Sequence, residues 1–108
     1  MPVIYVDVDD TLIRSFGSKR IPISAVIRQV RELHRMGATL YCWSFGGADY
    51  AQATALELGI ADCFQQYLSK PHIMIDDQEP HEWRLTTYLH PNTFASLASG
   101  ELESLSKD

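Results

Sequence analysis

Residues 3–8 form a short apolar run, rich in β-branched and aromatic side chains, that stops at acidic residues. The pattern predicts a strand buried on both faces. Residues 12–23 are mixed and contain Gly17, Lys19, Arg20 and Pro22, which reads as a loop or small hairpin. Ser24 is placed to cap a helix. Val26, Ile27, Val30, Leu33 and Met36 then recur at helical spacing, and Gly37 ends the pattern. A second apolar run, 38–43, ends at Ser44 and is punctuated by Gly46 and Gly47. Residues 48–58, rich in Ala, Leu and Glu, close at Gly59 and predict a second helix. Residues 63–68 are a weaker strand candidate. Residues 72–75 are a short apolar run ending at Asp76 and Asp77, and 85–89 predict a further strand. A last short helix is expected from Asn92 or Thr93, fading through Gly100, with 104–108 frayed. Strand, helix, strand, helix, strand is the order of an α/β parallel sheet covered by helices. There is no internal repeat and no linker.

Composition narrows this picture. The 108 residues fit one domain, 1–108, and 45% hydrophobic content supports an ordinary core. The net charge of −5 comes from acidic residues spread along the chain, and the one basic cluster is Arg14, Lys19 and Arg20. Broad nucleic-acid binding is disfavoured, because neutralising phosphates needs a basic surface. A local basic patch can still meet one anionic substrate, or be no more than a solvated loop face. Cys42 and Cys63 show no zinc-type spacing, and Cys42 reads as a small core residue. The N-terminus does not read as a signal peptide, and no apolar run approaches the ~20 residues that span a bilayer. The expectation is a soluble, reducing, cytoplasmic setting without a membrane partner.

Three of the apolar runs end in groups that carry chemistry. Asp7 and Asp9 are two residues apart at the end of the first. Carboxylates this close repel unless a cation lies between them, and Mg2+ suits such oxygen ligands. The plainer alternative is that Asp9, Asp10 and Thr11 cap the following turn. Ser44, between a strand and two glycines, could hold phosphoryl oxygens at a helix N-terminus, or serve as a turn serine. Lys70 could offset a substrate's charge, or be a solvated lysine. Asp76 and Asp77, adjacent acids at the end of an apolar run, need metal, a positive partner or water. Parallel strands put their C-terminal ends on one edge, so these groups are expected to share a pocket.

In order, these four elements resemble the motifs of the haloacid dehalogenase-like superfamily of hydrolases. Asp7-Val8-Asp9-Asp10-Thr11 matches the first motif, Ser44 the second, Lys70-Pro71 the third and Asp76-Asp77 the fourth. The resemblance spans residues 3–77, and the presence of both Asp7 and Asp9 is similar to its phosphatase branches. It implies a three-layer Rossmann-like sheet flanked by helices. Residues 12–23 leave room only for a flap, so the core would be capless and its site open to a bulky substrate or a covering subunit. It also implies a phosphatase acting on a phosphomonoester. Asp7 would attack phosphorus and form an aspartyl-phosphate, and Asp9 would act as general acid and base. Mg2+ would be held by Asp7, the Asp9 carbonyl and Asp76, with Asp77 acting through water. Ser44 and Lys70 would clamp the phosphoryl oxygens, and Thr11 would fix the turn.

Two rivals belong to other classes. A receiver-type signalling domain has a similar length and an acidic pair, but needs a lone Asp ending a mid-chain strand. Asp49 opens a helix instead, and Lys70 precedes a strand. A non-catalytic metal-binding or regulatory protein would keep the same carboxylates without turnover. The physiological substrate is not legible in the chain.

Overall fold

The computed structural model describes residues 2–106. In chain order the main elements are β1 (Val3–Asp7), β2 (Ile13–Phe16), β3 (Lys19–Pro22), α1 (Ser24–Arg35), β4 (Thr39–Ser44), α2 (Ala48–Glu57), β5 (Gln66–Ser69), α3 (Pro91–Ala95) and α4 (Ser99–Leu105). β1, β4 and β5 form a three-stranded parallel sheet in that order, flanked by helices. β2 and β3 pair as a separate antiparallel hairpin, the small flap anticipated at 12–23. Phe16 pairs with Lys19, so the turn is Gly17-Ser18, and Gly17 takes φ 62° there. A positive φ at the first central position is the requirement of a II′ hairpin turn, which glycine meets without steric cost.

The path from β1 through α1 to β4, and from β4 through α2 to β5, steps across the sheet in one direction. Right-handed crossovers then put both helices on the same face. The core sits between them: Val6, Val8, Leu40 and Cys42 pack with Val26, Val30 and Leu33 of α1 and Ala51 and Ala55 of α2. The opposite face carries Val3, Tyr5, Tyr41 and Trp43. Tyr5 packs on Tyr41 at 5.3 Å and edge-on to Trp43 at 4.8 Å between ring centroids. Val3 and Tyr5 remain 60% and 47% exposed. The strand expected to be buried on both faces is therefore buried on one. Among the described residues no helical layer covers the second face, as a three-layer arrangement would require.

Other boundaries differ for local reasons. Ser24 is the first residue of α1 rather than its cap, and Ile23 occupies the capping position. Cys63 lies in a short 3-10 turn, Ala61–Cys63, so the third strand starts only at Gln66. The final helix is two: Gly100 lies inside α4 instead of ending it. Leu102, 2% exposed, holds α4 in the core, and Gln29 of α1 donates to the Phe94 and Leu97 carbonyls at 3.2 and 2.9 Å. Ser104 and Leu105 are helical, contrary to the expected fraying, while Lys107 and Asp108 lie outside the described residues.

The largest departure is at 72–75, which forms no strand, and neither does 85–89. The reason is connectivity. β5 ends at Ser69, and only Lys70 and Pro71 precede the apolar run. A further parallel strand would have to begin at the opposite end of the sheet, and such a crossover takes a dozen or more residues. Ile73 and Ile75 are consequently exposed, and Leu85 and Tyr88 of the second missing strand are exposed as well.

Cys42 and Cys63 are both buried and free. Burial, reinforced by the nearby Asp7 charge, pushes the Cys42 thiol up to about 12, so it stays neutral and inert across the physiological range. No helix among the described residues is long and apolar enough to cross a membrane.

Candidate active site

The C-terminal ends of β1 and β4 face the first turn of α2 and the flap. After β1 the chain folds tightly round one carbonyl. The N–H groups of Thr11, Leu12 and Ile13 all donate to the Val8 oxygen, at 3.2, 2.8 and 3.3 Å. Asp10 takes φ 61° in this loop, a left-handed conformation that Asp tolerates better than most side chains. Its N–H donates to the Ile13 carbonyl at 2.7 Å. Asp10 therefore serves the turn, while Asp7 and Asp9 present their carboxylates.

Asp7 is half-buried and held from two sides. The Lys70 ammonium lies 3.0 Å from Oδ1, and the Thr11 hydroxyl donates to Oδ2 at 3.2 Å. Thr11 thus reaches the carboxylate itself as well as belonging to the turn. Lys70 is no free surface lysine: its side chain is 22% exposed. Its N–H donates to the Ser44 carbonyl at 2.9 Å. Its ammonium also stands 5.7 Å from the Trp43 ring centre and 5.2 Å from that of Phe45. The aromatic faces favour the cation and fix the long side chain over Asp7.

Ser44 is buried, and its Oγ accepts from the Gly46 N–H at 2.9 Å. The Gly47 N–H donates to the Ser44 carbonyl at 3.1 Å, and the Ala48 N–H to Ser69 Oγ at 3.2 Å. The start of α2 is thus closed by its own loop.

Asp9 is exposed, and its Oδ1 accepts from the Tyr50 hydroxyl at 2.7 Å. Tyr50 in turn accepts from the Arg20 guanidinium at 2.9 Å. Arg20, on β3 of the flap, also donates to Thr54 Oγ1 at 2.9 Å and meets Glu57 at 3.4 Å. Its bond to Tyr50, with a smaller contribution from Glu57, holds the guanidinium above its ordinary pKa. Arg20 remains exposed but is tied to α2 rather than free. The sequence marked Arg20 only as one of a basic cluster open to an anionic substrate, and did not mark Tyr50, because the bonded partners lie 30 and 41 residues apart.

Asp76 and Asp77 do not join this cluster. They lie in the exposed segment that failed to form a strand, and Asp76 Oδ1 accepts from the Gln78 N–H at 2.9 Å. Asp76 lines a separate shallow depression with Gln78, Trp83, Arg84, Leu85 and Thr86. Among the described residues no three His, Cys, Asp or Glu side chains are grouped to hold a metal ion. The donor set anticipated for Mg2+, the Asp7 and Asp76 carboxylates and the Asp9 carbonyl with Asp77 through water, is thus not assembled: Asp7 is engaged by Lys70 and Thr11, and the acidic pair sits elsewhere.

The fold has a solved counterpart. A Vibrio cholerae protein, determined by crystallography as an MCSG target, superposes with a TM-score of 0.57 and 22% identity, over 98% of this chain and 97% of its own. At that identity the likeness concerns the fold alone. No curated protein matches. The family model that does match spans residues 1–93. It corrects the resemblance to haloacid dehalogenase-like hydrolases, because the motifs that suggested it fall within a different family's model. The absence of a strand before Asp76 agrees with that correction. The chain belongs to the family described as protein of unknown function (DUF705).

Proposed function

We propose that this site transfers a phosphoryl group from a phosphomonoester to water, with Asp7 as nucleophile and Asp9 as general acid and base. The observation that carries the reading is the Asp7 carboxylate, held between the Lys70 ammonium and the Thr11 hydroxyl at the end of β1. A carboxylate in a fixed orientation beside a cation suits attack on an anionic phosphorus. Lys70 lowers the repulsion on approach and is placed to follow the charge onto the phosphoryl oxygens. Ser44, 1% exposed, spends a lone pair on the Gly46 N–H and so braces the loop after β4.

In the first step a bond forms between an Asp7 oxygen and phosphorus as the ester P–O bond breaks. The leaving oxygen takes its proton from Asp9. In the second step water attacks phosphorus, its proton passes to Asp9, and the aspartyl P–O bond breaks to release phosphate. The open edge beside the flap sets no narrow limit on the alcohol.

The test is phosphate release from a broad panel of phosphomonoesters, with Mg2+ and with chelator. Release from one structural class of ester is the expected result. If the folded protein releases phosphate from none of them in either condition, the hydrolase reading is rejected in favour of a binding or regulatory role.

A further inference from the structure

We propose that Tyr50 is the positioning residue for Asp9, and that Arg20 of the flap sets Tyr50. The inference deepens the reading above and rests on it for its kinetic consequence, while the coupling itself stands on geometry. Asp9 is the exposed member of the carboxylate pair, and a free carboxylate there would sample several rotamers. The Tyr50 hydroxyl donates to Oδ1 at 2.7 Å, and that one bond fixes the plane of the group. That bond leaves Oδ2 free to carry the proton.

The hydroxyl is itself oriented. The Arg20 guanidinium donates to the Tyr50 oxygen at 2.9 Å, so the tyrosine proton is directed onward to Asp9. Arg20 is pinned by Thr54, which is 1% exposed, and by Glu57, both on α2. Flap, helix and catalytic loop are thereby joined through a chain of two hydrogen bonds. The ring has a prepared seat as well. A Cβ at Gly46 would stand 2.8 Å from Tyr50 Cδ2 and 3.3 Å from Ser44 Oγ, so the bare glycine makes room for the ring.

A positioned general acid matters most when the departing oxygen is a poor leaving group. The test is a comparison of an alkyl phosphate with p-nitrophenyl phosphate in wild type, Tyr50→Phe, Arg20→Ala and Asp9→Asn. Tyr50→Phe is expected to lower kcat on the alkyl ester by about tenfold or more, a fraction of the range of a general acid. The loss on the nitrophenyl ester is expected to be much smaller, with KM unchanged on both. Arg20→Ala should give the same pattern, weaker. An equal loss on both esters, or no loss, overturns the positioning role.

A second measurement needs no turnover. The carbon-13 carboxyl resonance of Asp9, assigned through Asp9→Asn, should move in Tyr50→Phe and in Arg20→Ala, while that of Asp7 stays in place. An Asp9 resonance indifferent to both variants overturns the inference whatever the activity. If that resonance moves but wild type hydrolyses neither ester, or Asp9→Asn matches wild type, the hydrolase reading fails and the coupling stands.

Discussion

Asp7→Asn is expected to lower kcat for phosphomonoester hydrolysis on the order of a thousandfold or more, with the fold retained. Removing a nucleophile from a site whose parts act together costs as much as removing the whole set, so nothing nearby substitutes for it. Asp9 cannot take over: its Oδ1 is engaged by Tyr50, and the turn carries it beyond the end of β1. The amide keeps the shape of the carboxylate and can still accept from Thr11. Lys70 loses its ion partner, yet it keeps solvent and the faces of Trp43 and Phe45, so no buried charge is stranded. Steady-state kinetics beside a urea melt separate the two effects. A large loss of activity at an unchanged midpoint is the expected pair of results, and a lowered midpoint would mean that Asp7 is structural.

Leu12→Ala is expected to cost about 2–5 kcal/mol of stability. Leu12 is fully buried, and it joins two parts of the molecule. Its N–H donates to the Val8 carbonyl at 2.8 Å, and its own carbonyl accepts from Ile23 at 2.8 Å. The side chain therefore fastens the turn that holds Asp7, Asp9 and Thr11 onto the core and sets where the flap closes. Truncation leaves a cavity lined by well-packed neighbours, and domains of this size hold only about 5–15 kcal/mol in total. The urea midpoint should fall sharply with little change in slope. Phe16→Ala on the same hairpin is the contrast: that ring is 76% exposed, and its loss should stay within about 0.5 kcal/mol.

Much of this arrangement was legible in the chain because it depends on local periodicity. The helical spacing of Val26, Val30 and Leu33 and the stop at Gly37 mark α1, and the apolar run into Ser44 marks β4. Asp7 and Lys70 follow from strand ends meeting at one edge. Residues 72–75 misled because composition reports a wish to be buried, while strand formation also needs a path back to the sheet. With two residues after β5 that path is missing, and the acidic pair goes with it. The exposed face of β1 was hidden for a similar reason, since alternation in a six-residue run does not say on which side helices will lie. Tyr50 lay beyond reach, since a tyrosine in a helix carries no signal until the fold brings it to Asp9, and the basic cluster that contains Arg20 did not reveal Tyr50 as its partner.

A search for a phosphorylated form of the protein tests the central claim most directly. The protein is mixed with a turned-over phosphomonoester, quenched in acid within a single turnover, and digested for mass mapping. The account predicts one acid-stable, hydroxylamine-labile phosphoryl group on the peptide from the start of the chain, carried by Asp7 and absent from Asp7→Asn. Turnover with no covalent phosphoryl group at Asp7 on any quench time, or a phosphoryl group on another residue, would contradict it.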